Sequence, residues 1–221
     1  MNTPRPINVY AELTPNPNSI KFVADVMLLE GGVVEYMNKA EAVNCPLAFQ
    51  LFDFSGIDKV FITANFVTIT KVGDIDWFEI TNIIREFVRG FLMSGEALFI
   101  GSPFDINHIP GKKNDNPEIN SNKTVKVAEI KKDIAPLEDI VFDPDIDKKI
   151  MDLLDEYVRP AVEGDGGAIH FKSYVNGTVN VVLKGACSGC PSSTVTLKSG
   201  IENMLKQMLP GNIREVVAIS E

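Results

Sequence analysis

Apolar residues recur at helical spacing in three long segments of the chain. One stripe, over residues 77–91, predicts an amphipathic helix in the first half. Two more stripes, over 146–157 and 197–208, predict helices in the second half, and Pro160 and Pro210 are expected to end them. The apolar positions are Trp77, Ile80, Ile84, Phe87, Val88 and Phe91, then Ile146, Ile150, Leu153, Leu154 and Tyr157, then Leu197, Ile201, Met204, Leu205 and Met208.

Shorter apolar runs bounded by turn residues predict strands in the first half. The segment 14–18, with two prolines and two asparagines, is typical of a turn between two of them. The predicted elements are strands at about 7–13 and 19–29, a short helix near 46–54, and strands at 60–63 and 66–70.

The second half predicts a helix, two strands, a helix and a final strand. Asp143 and Pro144 are suited to the start of the first helix. Asn176-Gly177 is typical of a tight hairpin turn, because both central positions of such a turn need positive φ. The strands are expected around 169–174, 179–183 and 213–219, which gives an α-β-β-α-β order.

A segment rich in proline, asparagine and lysine separates the two halves and predicts a linker. The expected fold class is α+β, with two small α/β sandwich-like domains joined by that linker. The expected boundaries are 1–102 for the first domain, 103–143 for the linker and 144–221 for the second domain.

Composition narrows the function classes. The 221 residues are 45% hydrophobic and 23% charged, as in ordinary globular proteins, and the net charge is −9. An acidic chain lacks the basic face that nucleic acid or an anionic membrane needs, and no apolar run approaches a membrane span. The first residues show neither a signal core nor a basic transit peptide, so we expect a cytoplasmic protein.

The main chemical signal is the sequence CSGCPSS at residues 187–193, at a predicted strand-to-helix turn. Cys187 and Cys190 are soft ligands of the kind that iron–sulfur clusters, zinc and copper(I) require. The free amides and the dipole at the start of a helix lower thiol pKa values there. Two closely spaced thiols therefore predict metal binding or redox chemistry.

Several alternatives stay open at this point. The cysteine pair is also compatible with a thiol–disulfide oxidoreductase, a structural zinc site or an ordinary turn. His170 is expected to be a solvated or half-buried strand residue, and His108 falls in the linker. Cys45 is expected to be a small core or loop residue.

Clusters usually take four thiolates, and the pair supplies two. A homodimer with two facing 187–190 loops would supply four, for a [4Fe-4S] cluster or alternatively a [2Fe-2S] cluster. A cluster held at such an interface is exposed and easily released, which suits a carrier.

Residues 163–167 and 183–198 closely resemble the NifU C-terminal domain of Nfu-type iron–sulfur proteins, and residues 14–22, 58–61 and 66–70 resemble the Nfu N-terminal domain. The resemblance implies a non-enzymatic scaffold or carrier that holds a [4Fe-4S] cluster between two subunits and delivers it to apo-proteins. It implies Cys187 and Cys190 as the ligands, client proteins and upstream assembly proteins as partners, and protein–protein contacts for the first domain.

Residues 23–45 look longer and more apolar than the family pattern. The glycines of Gly166-Gly167 are expected to need positive φ.

Overall fold

The computed structural model describes residues 6–73, 75–104, 145–188 and 191–219, with the side chains of 191–193 excepted. Two small domains each combine helices with a sheet, which confirms the predicted α+β class. Most of the predicted linker, and the predicted helix start at Asp143 and Pro144, lie outside the described residues. Among the described residues, no helix has the length and apolarity needed to span a membrane.

The N-terminal domain is a five-stranded antiparallel sheet in the order β1-β2-β5-β4-β3, with helices on one face. Its core lies between that face and the helices, where Ile84, Val88 and Phe91 of the predicted apolar stripe are buried. The elements are β1 Val9–Leu13, β2 Ser19–Ala24, β3 Leu29–Tyr36, α1 Pro46–Leu51, β4 Ile57–Ala64, β5 Phe66–Lys71 and α2 Trp77–Ser94.

Strand β3 was not predicted, and the strand predicted over 19–29 is too long. The chain ends β2 at Ala24 and begins β3 at Leu29. Gly31 and Gly32 both have positive φ, and the pairing register shifts between Leu29 and Val33. This bulge interrupts the two-residue alternation, so the strand gives a weak sequence signal.

The C-terminal domain has a three-stranded sheet in the order β6-β7-β8, with β6–β7 antiparallel and β7–β8 parallel. Asn176 and Gly177, with φ of 49° and 83°, form the predicted hairpin turn between β6 and β7. The elements are α3 Ile146–Leu153, α4 Arg159–Gly164, β6 Gly167–Val175, β7 Thr178–Gly185, α5 Pro191–Met208 and β8 Glu215–Ile219.

Three predicted positions in the helices are wrong. Pro160 does not end the first helix, because a π-helical turn at Leu154–Val158 separates α3 from α4 and places the proline in the first turn of α4. The π turn also shifts the buried stripe, so that Val158 is buried while Tyr157 is half exposed. Met208, at the end of α5, is exposed as well.

The face of the N-terminal sheet opposite its helices carries a row of side chains across four strands. Lys21, Thr68, Phe61 and Glu35 lie at paired positions on β2, β5, β4 and β3. We call these four residues the outer row. The C-terminal domain packs against it.

Candidate functional site

Cys187 lies between the end of β7 and the start of α5, as the sequence predicted. It is 6% exposed and belongs to the core of the C-terminal domain. Cys190 lies outside the described residues, so the structure describes one of the two predicted ligands.

Hydrogen bonds hold the backbone around Cys187. The Ser188 N–H and hydroxyl both donate to the Gly185 carbonyl, at 3.0 and 2.9 Å. In the first turns of α5, the Thr194 hydroxyl donates to the Cys187 carbonyl at 3.4 Å. The cysteine backbone is therefore connected to both the strand and the helix.

Position 167, beside Cys187, needs a glycine because a side chain there would collide with its neighbours. The backbone conformation at this position does not itself require glycine. A Cβ at this position would lie 2.8 Å from Cys187 Sγ and 2.6 Å from the Lys184 carbonyl oxygen. The expected positive φ occurs at Gly166, at 81°, and is wrong for Gly167, which is the first residue of β6. The glycine pair thus lets the 164–167 turn approach the cysteine closely.

Two residues of the outer row bind the 164–167 turn. Thr68 Oγ1 donates to the Gly166 carbonyl at 2.7 Å, and Lys21 Nζ donates to the Gly164 carbonyl at 3.3 Å. The Thr68 bond is buried and the Lys21 bond is partly buried. The N-terminal domain thereby contacts one side of the cysteine loop.

Glu35, at the other end of the outer row, binds the loop itself. Its Oε1 accepts from the Gly185 N–H at 2.9 Å and, weakly, from the Ser188 hydroxyl at 3.5 Å, whose one proton is shared with the Gly185 carbonyl. Burial raises the pKa of Glu35 above its ordinary value, while the Gly185 hydrogen bond and the nearby Lys59 and Lys184 act in the opposite direction.

The turn between β1 and β2 covers the remaining side. Asn16 is buried, and its Nδ2 donates to the Ala186 carbonyl at 3.0 Å. Pro15 and Asn16 also line a cavity of about 30 Å³ next to Cys187 and Leu197. A cavity of this size has room for at least one water molecule.

Cys45 and His170 take the structural positions that the sequence predicted. Cys45 is fully buried in the N-terminal core, and burial raises its pKa to about 11. His170 is half-buried and lines a cleft of about 550 Å³ between the domains. Within the described ranges, no three His, Cys, Asp or Glu side chains form a group that could hold a metal ion.

Sequence reasoning missed the outer row and Asn16 as neighbours of the cysteine loop. Alternation on β5 gave a partial signal, since Thr68 and Thr70 are polar while Val67 and Ile69 face the core. Glu35 gave no signal because its strand was not predicted.

Comparison with known proteins identifies both domains. A model described as the N-terminal domain of scaffold protein Nfu/NifU matches residues 9–95, and a NifU-like domain model matches 150–217. A NifU-like protein of Schizosaccharomyces pombe is 32% identical over 219 residues, which cover 97% of this chain and 74% of that protein. The chain belongs to the Nfu/NifU scaffold family.

Other members of the Nfu/NifU family extend beyond the matched region. The mitochondrial NifU-like protein 4 of Arabidopsis thaliana is 36% identical over 91% of this chain, which spans 62% of that relative's length. The human mitochondrial NFU1 iron-sulfur cluster scaffold homolog is 32% identical over 89% of this chain and 66% of its own length.

These names contradict the expected cytoplasmic localisation, since the plant and human relatives are mitochondrial proteins. The expectation rested on the composition of the first residues, and that composition does not determine a compartment.

Proposed function

We propose that this chain is a carrier that takes up an iron–sulfur cluster and transfers it to apo-proteins. Cys187 and Cys190 of two copies supply four thiolates to one shared [4Fe-4S] cluster. The cluster is cargo received from upstream assembly proteins and passed to client proteins, and the chain itself is not an enzyme.

The observation that carries this proposal is the position of Cys187. It follows β7 and precedes α5 inside the segment that matches a NifU-like domain. A thiol at this strand-to-helix junction is a soft ligand. These properties fit the donor set of an iron–sulfur cluster.

Sharing between two copies follows from the ligand count. Structural and cluster sites made of thiolates take about four of them, and the two cysteines of one loop supply half.

Anaerobic reconstitution with iron and sulfide tests the proposal. We expect about four irons per two chains, and a dimer by light scattering that reverts to monomer when the cluster is removed. Cys187→Ser and Cys190→Ser should each abolish the cluster absorption. Cys45→Ala is the matched control, because Cys45 lies in the core of the other domain, and it should bind iron as the unaltered chain does.

Cluster binding that persisted in full in Cys187→Ser would contradict the ligand assignment. The rival activity, thiol–disulfide exchange, predicts instead a reversible disulfide within a monomer and reductase activity without iron. Two irons per dimer would assign a [2Fe-2S] cluster.

A further inference from the structure

We propose that the N-terminal domain is a reversible cover for the cysteine loop of its own chain, and that a cluster can be bound only after this cover has moved away. The inference concerns the regulation of the cysteine site and rests on the proposed carrier function. The surface that performs it is the outer row together with the Pro15–Asn16 turn.

The contacts between the domains surround Cys187 in the sequence and in space. Asn16 and Glu35 bind the residues on either side of the cysteine, at Ala186 and Ser188. Thr68 binds the turn that contains Gly166, and that carbonyl also accepts the Ala186 N–H at 3.1 Å. The N-terminal domain therefore contacts the segments that define where the cysteine lies.

In the same segments, the backbone of the C-terminal domain lies very close to side chains of the N-terminal domain. A Cβ at Gly185 would lie 3.0 Å from the Phe61 ring, and a Cβ at Gly166 would lie 3.0 Å from Thr68 Oγ1. Both glycines have positive φ, so another residue there would be strained as well as crowded. The two surfaces fit each other closely at the cysteine loop.

Separation of the two domains exposes one apolar cluster and a set of hydrogen-bonding groups. The apolar cluster at the interface combines Val23, Phe61 and Phe66 with a single buried C-terminal residue, Ala168. The remaining contacts are hydrogen bonds that water can replace, and the cleft of about 550 Å³ opens beside them. Interfaces between domains of one chain resemble transient protein–protein interfaces, and relative motion of the domains is expected unless the interface is large and hydrophobic.

The covered state excludes the cluster-bound state. A second copy of the loop needs access to Cys187 from outside, and in the covered state the Pro15–Asn16 turn lies beside that residue. Cys187 is 6% exposed in this state, and the core of its own domain contributes to that burial. Covering and cluster binding are therefore alternatives, and the cover protects the thiol until a donor or a second copy displaces it.

Substitutions in the full chain that change the shape of a side chain very little test the cover. Asn16→Asp keeps the oxygen that accepts from the Asn18 N–H, and places a carboxylate oxygen against the Ala186 carbonyl. Thr68→Val removes the hydroxyl that binds Gly166. Thr70→Val is the matched control, because the Thr70 hydroxyl pairs with Ser19 inside the N-terminal domain.

The first measurement is the alkylation rate of Cys187 by iodoacetamide, read by tandem mass spectrometry of the apo-protein. We expect at least about a tenfold increase in Asn16→Asp/Thr68→Val and no increase in Thr70→Val. Glu35→Ala, which removes the two bonds to Gly185 and Ser188, should also increase the rate. Cys45, buried in the N-terminal core, is the internal reference and should keep its slow rate.

An unchanged Cys187 rate in these variants would overturn the cover. A parallel increase at Cys45 would also overturn it, because unfolding and not domain separation would then expose the loop.

The second measurement is the rate of iron uptake during reconstitution. The double variant should load faster than the unaltered chain and reach the same iron content per dimer, and equal loading rates would contradict the cover. If neither protein takes up iron, the carrier function fails, and the alkylation rates still decide whether the cover exists.

Discussion

Glu35 connects the two domains through a carboxylate whose ionised form is disfavoured. Burial is the largest influence on its pKa and raises it, even though the Gly185 N–H, Lys59 and Lys184 favour the ionised form. Because the folded-state pKa is raised, the folded chain binds the Glu35 proton more tightly than the unfolded chain does. This stabilisation of the folded chain is fully present below pH 4.5, the ordinary pKa of a glutamate carboxyl. It is lost as the pH rises through the raised pKa of Glu35.

Glu35→Gln should remove this pH dependence. The glutamine oxygen can still accept from the Gly185 N–H but does not titrate. We expect the free energy of unfolding of the variant, relative to the unaltered chain, to increase as pH rises from about 4.5 towards neutrality. Urea unfolding at several pH values measures the difference. Glu30→Gln, at an exposed position of the same strand, is the control, and a constant difference for Glu35→Gln would contradict the assignment.

At the scale of elements, the helices and the hairpin of the C-terminal domain could be predicted because their signals are local. Helical periodicity identified α2 and α5, and Asn176-Gly177 identified the hairpin. Strand β3 and the α3–α4 region could not be predicted in detail. In each, one irregularity, a glycine bulge or a π turn, changes the period at which side chains face the core.

Helix α5 supports the cysteine loop through its buried stripe. Leu205 is fully buried, whereas Met208 is 45% exposed at the helix end. Leu205→Ala should lower the free energy of unfolding of the C-terminal domain by about 2–5 kcal/mol, because it leaves a cavity. Met208→Ala should change it by no more than about 0.5 kcal/mol. Urea titration followed by circular dichroism measures both, and equal losses would mean that the stripe is assigned wrongly.

At the scale of the whole molecule, two separate cores are joined by a third apolar cluster at the interface between the domains. The sequence predicted the cysteine loop, because its ligand chemistry is local to residues 187–190. It could not predict that the outer row covers the loop. That contact joins residues separated by about 100 to 170 positions, such as Thr68 with Gly166 and Asn16 with Ala186. The spacing of apolar residues within a helix or strand does not show which surface of another domain that element contacts.

The single tryptophan allows unfolding of the N-terminal domain to be followed separately from unfolding of the C-terminal domain. Trp77 lies in α2, and its Nε1 donates to the Pro17 carbonyl at 3.0 Å. Its fluorescence therefore reports unfolding of the N-terminal domain, while circular dichroism reports both domains. In Leu205→Ala we expect an earlier transition by circular dichroism and an unchanged fluorescence midpoint. A midpoint that shifts equally in both signals would show that the two domains unfold as one unit.

The order of the domains along the chain determines when the cover becomes available. Helix α2 ends at Ser94, and Cys187 follows about 90 residues later. Translation at roughly 5–20 residues per second gives the ribosome about 5–20 s between these points. Small domains commonly fold within that interval. We therefore expect the N-terminal domain to fold before either thiol of the loop is synthesised, so that each new cysteine loop emerges beside an already folded cover.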